Sequence, residues 1–278
     1  MIRIGICTGW ERASLVASLG YDYIELSLSA TAAMEDVEFE EARSALAASP
    51  VRAEAFNSMM PPSLRLIGPD VDLASVREYL NRAIPRAAAL GAQVIVFGSG
   101  GARRVPERWA MDSAWAQLTD FLRLCLPILE EHCISLAIEP LSRSESNIIH
   151  TVREAAALAA AVSYPYEGEL RFSSSNPRVE QVNDTIGALG DTYHMAANGD
   201  PFESFVAVSR YLKHVHTAES LTRAYPRLGD GTDYAGLFAA LADAGYEKRV
   251  SVEGKTDDFE VDAPAALEAL KDARGKFS

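Results

Sequence analysis

The 278-residue chain is short of cysteine, histidine and basic residues. It has three cysteines, five histidines, and 26 lysines and arginines against 39 aspartates and glutamates, for a net charge of −13. A field of that sign repels phosphate backbones, so a nucleic-acid partner would need a local basic patch. Arg103-Arg104 and Lys248-Arg249 are the only adjacent basic pairs, too few to make one. Cys7, Cys125 and Cys133 form an odd set without paired spacing, as expected of reduced thiols in a cytoplasmic protein. No apolar run approaches the roughly 18 residues needed to span a bilayer, so no membrane partner is expected. The N-terminus, Met1-Ile2-Arg3-Ile4-Gly5-Ile6, reads as a strand rather than a secretory leader. The strand leads into Cys7-Thr8-Gly9-Trp10-Glu11, which is not the Gly-rich nucleotide loop of an open doubly wound sheet. No Pro/Gly/Ser-rich linker divides the chain.

What is present is a repeated grammar: an Ala/Leu-rich helix, a glycine, then a β-branched strand. It occurs at Leu15–Leu26, Ala87–Phe97 and Ala239–Val252. Glycine just past a helix takes the left-handed conformation cheaply, and the strand follows at once. Apolar strands alternating with amphipathic helices imply a parallel sheet covered by helices. Eight strands are expected near 2–7, 22–28, 52–57, 93–98, 134–139, 186–191, 213–217 and 249–253. Long helices are expected at 73–90, 112–132, 151–162, 233–244 and 263–273, with Pro85 kinking the first. Eight strands favour a single-domain (β/α)8 TIM barrel over an open sheet, and a barrel of this kind takes about 250 residues. Residues 164–184 are polar, contain Pro165 and Pro177, and have no helical period. They read as an insertion, either a lid or interface loop or a segment without fixed structure.

Four of the strands end on chemistry. Glu139 closes Ile134–Ile138, Asp191 closes Ile186–Gly190, His216 follows His214-Val215, and Glu253 closes Arg249–Val252. In a TIM barrel the active site is built at the C-terminal ends of the strands. Three carboxylates and an imidazole make a hard, oxygen-rich donor set. It favours Mn2+, Mg2+ or Co2+ over thiolate-preferring metals, with Zn2+ also accommodated. Such an ion polarises a carbonyl and stabilises the enediolate left when a neighbouring carbon loses its proton. Glu139 and Glu253, on strands five and eight, would flank a substrate as base and acid on opposite faces.

The segments Glu139-Pro140-Leu141-Ser142-Arg143-Ser144-Glu145, Asp191-Thr192-Tyr193-His194-Met195, His214-Val215-His216 and Val252-Glu253-Gly254 resemble the xylose-isomerase-like sugar isomerase/epimerase superfamily, and within it the D-tagatose 3-epimerase and D-psicose 3-epimerase group. The resemblance spans nearly the whole chain. It implies a metal-dependent enzyme acting on a ketose or related polyol-ketone, with Glu139, Asp191, His216 and Glu253 as metal ligands and Glu139 and Glu253 as the acid/base pair. It implies that His194 contacts the substrate near its carbonyl and that Glu145 contacts substrate hydroxyls. The family arginine falls six residues after the metal histidine. Here that position is Thr222, so Arg223 or Arg227 takes the role. Homo-oligomers are common in the resembling group, and one is expected here by analogy.

Weaker signals surround these. The loop Gly98-Ser99-Gly100-Gly101-Ala102-Arg103-Arg104 offers backbone N–H groups, and Arg103 offers a guanidinium, to an anion; a flexible loop with a salt-bridged arginine reads equally well. Asn57 would either donate to a substrate hydroxyl or form a turn. His214 points the same way as His216 and is either a support for it or a core histidine. His132 and His150 read as surface or packing residues. Trp10 and Phe56 offer an apolar wall, though rings at strand ends more often pack in the core. A lyase acting on an inosose, dehydroshikimate or a C-glycoside shares the first proton abstraction. A DNA-repair nuclease of the same fold would need three zinc ions and more histidines. A non-catalytic sugar-binding protein would not need two opposed carboxylates.

Overall fold

A computed structural model describes residues 1–162 and 184–276. Eight parallel strands close into a barrel in sequence order. They are β1 (Arg3–Cys7), β2 (Tyr23–Ser27), β3 (Ala53–Asn57), β4 (Val94–Phe97), β5 (Ser135–Ile138), β6 (Ile186–Asp191), β7 (Leu212–Thr217) and β8 (Arg249–Val252). Around them run α1 (Ala13–Leu19), α2 (Leu28–Ala33), α3 (Asp36–Ala48), α4 (Leu73–Leu90), α5 (Met111–Glu131), α6 (Val152–Val162), α7 (Thr192–Asn198), α8 (Ser204–Ala207), α9 (Tyr234–Asp243) and α10 (Phe259–Gly275). Each of the eight expected strands is found, and the (β/α)8 barrel stands. Among the described residues, no helix is long and apolar enough to cross a membrane. The expected insertion at 164–184 falls, Asp184 excepted, outside the described residues.

Local chemistry sets the helix ends. The Asp72 side chain accepts from the N–H groups of Ala74 and Ser75 at the start of α4, and Gly91 ends that helix at φ +108°. Pro85 sits within α4 and does not interrupt it. Four helices had no clear sequence signal. In α3 only Ala42 and Leu46 are buried, too thin a stripe to show as a period. The others, α2, α7 and α8, have seven residues or fewer.

The core has two compartments. A large one lies between the strands and the helices. A small one, with Tyr23, Ala55, Val94, Val96, Ala137 and Leu189, fills the barrel itself. Side chains two apart on a strand share a face. The residues two positions beyond Tyr23, Ala137 and Leu189 are Glu25, Glu139 and Asp191, so each apolar plug carries an ionisable group above it. Beneath them, Arg3 and Arg249 both bind Glu54, the Arg249 Nε at 2.7 Å from its carboxylate, and close the N-terminal end of the barrel.

Gly5 faces the Tyr23 ring so closely that a Cβ would overlap it, and the Tyr23 hydroxyl is tied to Ser251 Oγ at 2.7 Å. Gly5→Ala is therefore expected to overpack the barrel by about 1–3 kcal/mol. This would be read as a lower denaturant midpoint with an unchanged slope.

Candidate metal and substrate site

Glu139, Asp191, His216 and Glu253 meet at the C-terminal mouth, where one donor atom of each lies within 4.8 Å of all the others. Asp191 ends β6 and His216 lies in β7, while Glu139 and Glu253 directly follow β5 and β8. Gly98 makes room for this approach, since a Cβ there would overlap the Glu139 carboxylate.

The two oxygens of Asp191 have different surroundings. Oδ1 accepts from the His194 N–H at 3.0 Å and caps α7, while Oδ2 is buried without a partner. A buried, unpartnered carboxylate oxygen is costly. Burial and the Glu253 charge push the Asp191 pKa up to about 6. Burial and the same neighbour raise Glu139 as well. For Glu253, burial is outweighed by His216 and Arg223, and its pKa falls below the usual range. A divalent cation would satisfy the free oxygen and relieve the repulsion, so the residues fit a metal ion.

His216 links this cluster to a buried network. Its Nε2 lies 2.9 Å from Glu25 Oε1, and its Nδ1 lies 3.2 Å from Glu139 Oε1 and 3.6 Å from Glu253 Oε2. Burial works against protonation of His216, but the Glu25 and Glu253 charges prevail and hold its pKa well above the ordinary value. A proton on Nδ1 thus stands among the groups that would otherwise face a cation. With Nε2–H fixed on Glu25, Nδ1 is the nitrogen left to bind a metal, the carboxylate–histidine–metal arrangement common around catalytic ions. Glu25 also binds His214 Nε2 through its second oxygen at 2.9 Å, and His214 reaches Ser251 Oγ at 3.2 Å. His214 is thus both fully buried and part of the support of the site.

Sequence reasoning missed Glu25. Its signal was present, an ionisable residue inside the apolar strand Tyr23-Ile24-Glu25-Leu26. Its partners, 189 and 191 residues away, become neighbours only across the closed barrel.

His194 is buried, and its Nδ1 accepts the Ser142 N–H at 3.0 Å, which places its own proton on Nε2. That nitrogen has no partner among the described residues. Burial lowers its pKa and keeps the ring neutral. Arg223, at φ +63°, spans two carboxylates, with Nη2 at 2.6 Å from Glu253 and Nη1 at 3.2 Å from Glu145. Arg227 instead binds Asp262, and Thr222 binds Glu219, so of these three only Arg223 faces the cluster. Asn57 Nδ2 lies 3.4 Å from both Glu253 Oε1 and Cys7 Sγ.

One expectation needs correction. Arg103 offers nothing to an anion. It is fully buried and donates to the carbonyls of Phe97 at 3.2 Å and Glu139 at 2.6 Å, bracing the backbone that carries Glu139. Phe56 packs in the core between strands and helices, the commoner fate of such a ring. Trp10 does line a cavity of about 610 Å³ at the mouth. His150 is a packing residue, bonded through Nδ1 to the Leu141 carbonyl.

The xylose isomerase-like TIM barrel family model matches residues 13–273, and the chain belongs to that family. No curated protein matches the sequence. A D-psicose 3-epimerase crystallised in the presence of D-fructose has a TM-score of 0.81 at 19% identity, covering 99% of this chain and all of its own. The 3-keto-D-glucoside 4-epimerase of E. coli has a TM-score of 0.75 at 20% identity, again covering 99% and 100%. The IOLI protein, solved with a bound zinc atom, has a TM-score of 0.68 at 16% identity, covering 100% and 99%.

Two outcomes test this arrangement. Glu25→Gln should weaken divalent-metal binding by about 10–100-fold in calorimetry, as expected of a lost support behind a ligand. A metal must also displace protons that Asp191, Glu139 and His216 hold more tightly than usual. Stabilisation by added Mn2+ in thermal melts should therefore grow from about pH 5 to about pH 7.5.

Proposed function

We propose that the protein is a divalent-metal-dependent sugar isomerase/epimerase, acting on a ketose or a related polyol-ketone through an enediolate. The observation that carries this reading is the four-residue cluster itself, in which one donor atom each of Glu139, Asp191, His216 and Glu253 lies within 4.8 Å of the others and one Asp191 oxygen is left without a partner among the described residues. Glu139, Asp191, His216 through Nδ1, and Glu253 would hold the ion, and the oxygen-rich set favours Mn2+. When bound, the ion would act as a Lewis acid toward the substrate carbonyl.

The protein's own groups divide the remaining work. Glu139 and Glu253 come from the ends of strands five and eight and would flank the substrate. One takes the proton from the carbon next to the carbonyl and the other returns a proton to the opposite face, which inverts that carbon. His194 Nε2–H donates to the substrate oxygen as a neutral imidazole. Arg223 and Glu145 hold hydroxyls, and Asn57 keeps Glu253 in place. Arg103 of the 98–104 loop is turned inward, which favours an unphosphorylated substrate.

In D2O, the Mn2+-loaded protein should place deuterium on the carbon next to the carbonyl of its ketose with the skeleton retained, as read by NMR. Glu139→Gln and Glu253→Gln should each slow this by about 100-fold or more, and chelation should abolish it until metal is restored. Loss of water from the substrate would make the enzyme a lyase. No exchange across ketoses and keto-sugars, with metal bound, would refute the reading.

A further inference from the structure

The mouth of the barrel contains more space than one sugar ring needs. The cavity of about 610 Å³ begins at Cys7, Glu25 and Asn57, which touch the cluster, and runs outward past Trp10 to Ala33 and Met34. Pockets of about 300–1,000 Å³ take drug-sized ligands, and a single hexose already held at the carboxylates would leave this space empty.

The lining indicates what would fill it. Trp10 supplies an aromatic face and Met34 a soft apolar one, while Thr8, Ser27 and Asn57 supply polar groups. This mixture of one ring surface with scattered hydrogen-bonding groups suits a second sugar ring or an aryl group. Among the described residues the charged side chains that line the cavity are the acids Glu11, Glu25 and Glu38, so an uncharged group suits it better than a phosphate or carboxylate. Small side chains, Ala30 and Ala33 on α2, keep it open.

We infer that the substrate is an uncharged keto-sugar glycoside, with the oxidised ring at Glu139 and Glu253 and the attached sugar or aryl group in the cavity beside Trp10. The inference rests on the isomerase/epimerase reading above and narrows its substrate class. The glycosidic bond takes no part in the proton transfer, and the attached group supplies binding that a free ketose lacks.

The test compares phenyl 3-keto-β-D-glucoside, free 3-keto-D-glucose and D-fructose with Mn2+-loaded wild-type protein and with Ala33→Trp, whose new ring fills the cavity. Ala33 is exposed, so the fold should tolerate the change, and circular dichroism checks that it does. Deuterium exchange gives kcat/KM, and calorimetry gives affinity independently of turnover. The glycoside should exceed free 3-keto-D-glucose by tenfold or more in kcat/KM, and Ala33→Trp should remove that advantage in both rate and affinity while leaving the free sugar unchanged. Equal turnover of the two keto-sugars, or preference for D-fructose, with no effect of Ala33→Trp, would overturn the glycoside and leave the epimerase reading standing. Exchange into none of the three, with no calorimetric signal, would overturn both.

Discussion

Everything at the barrel mouth answers to the repulsion among three crowded carboxylates, two of them buried. Glu139, Asp191 and Glu253 crowd one imidazole, with Arg223 the nearest fixed cation and a fourth acid, Glu25, directly behind. Two like charges about 4 Å apart repel by about 4 kcal/mol at the effective dielectric of a protein near its surface. Whole domains are stable by only about 5–15 kcal/mol. In the metal-free chain that repulsion raises the pKa of Asp191 and Glu139, and it is offset by a His216 that holds its proton more tightly than usual and by Arg223 on Glu253. Each of these devices is one that a bound cation makes unnecessary, so the arrangement is better suited to the loaded state than to the empty one.

A barrel tolerates such a cluster because its walls do not yield. Residues two apart on each strand place an apolar plug below and a functional group above, so the site has a packed floor of Tyr23, Val96, Ala137 and Leu189. Gly98 lets Glu139 approach, and Arg103 holds the backbone there with one hydrogen bond to the Glu139 carbonyl and one to the Phe97 carbonyl. Burial lowers the Arg103 pKa only to about 10, so its guanidinium keeps its charge at neutral pH. A cation beside Glu139 supports the field of the cluster as well as its geometry.

The fold and the four central residues were readable because both are written locally. Most strands are short apolar runs, and each of Glu139, Asp191, His216 and Glu253 stands at or beside the end of one. What could not be read depends on closure. Glu25 sits on β2, and nothing in Tyr23-Ile24-Glu25-Leu26 says that β7 will present two imidazoles to it. Arg103 reads as an anion ligand because it stands in a Gly-rich loop, yet the turn carries it inward onto the carbonyls of Phe97 and Glu139. Arg223 and Arg227 were indistinguishable by spacing. They are separated by the left-handed turn at Arg223, which sends that side chain to Glu253 while Arg227 reaches Asp262. Short helices such as α7 show no period because seven residues make fewer than two turns.

Asp191 joins two roles in one side chain. One oxygen closes the first turn of α7 and the other faces the cluster, so the residue that would grip an ion also aims the helix carrying His194. Asparagine would preserve the cap and lose the charge. Glutamate would preserve the charge and overshoot the cap. The position is therefore closed to gradual change. A lineage could retune Arg223 or the wall beside Trp10 one substitution at a time, but a new occupant at 191 would have to arrive together with a new way of seating the helix.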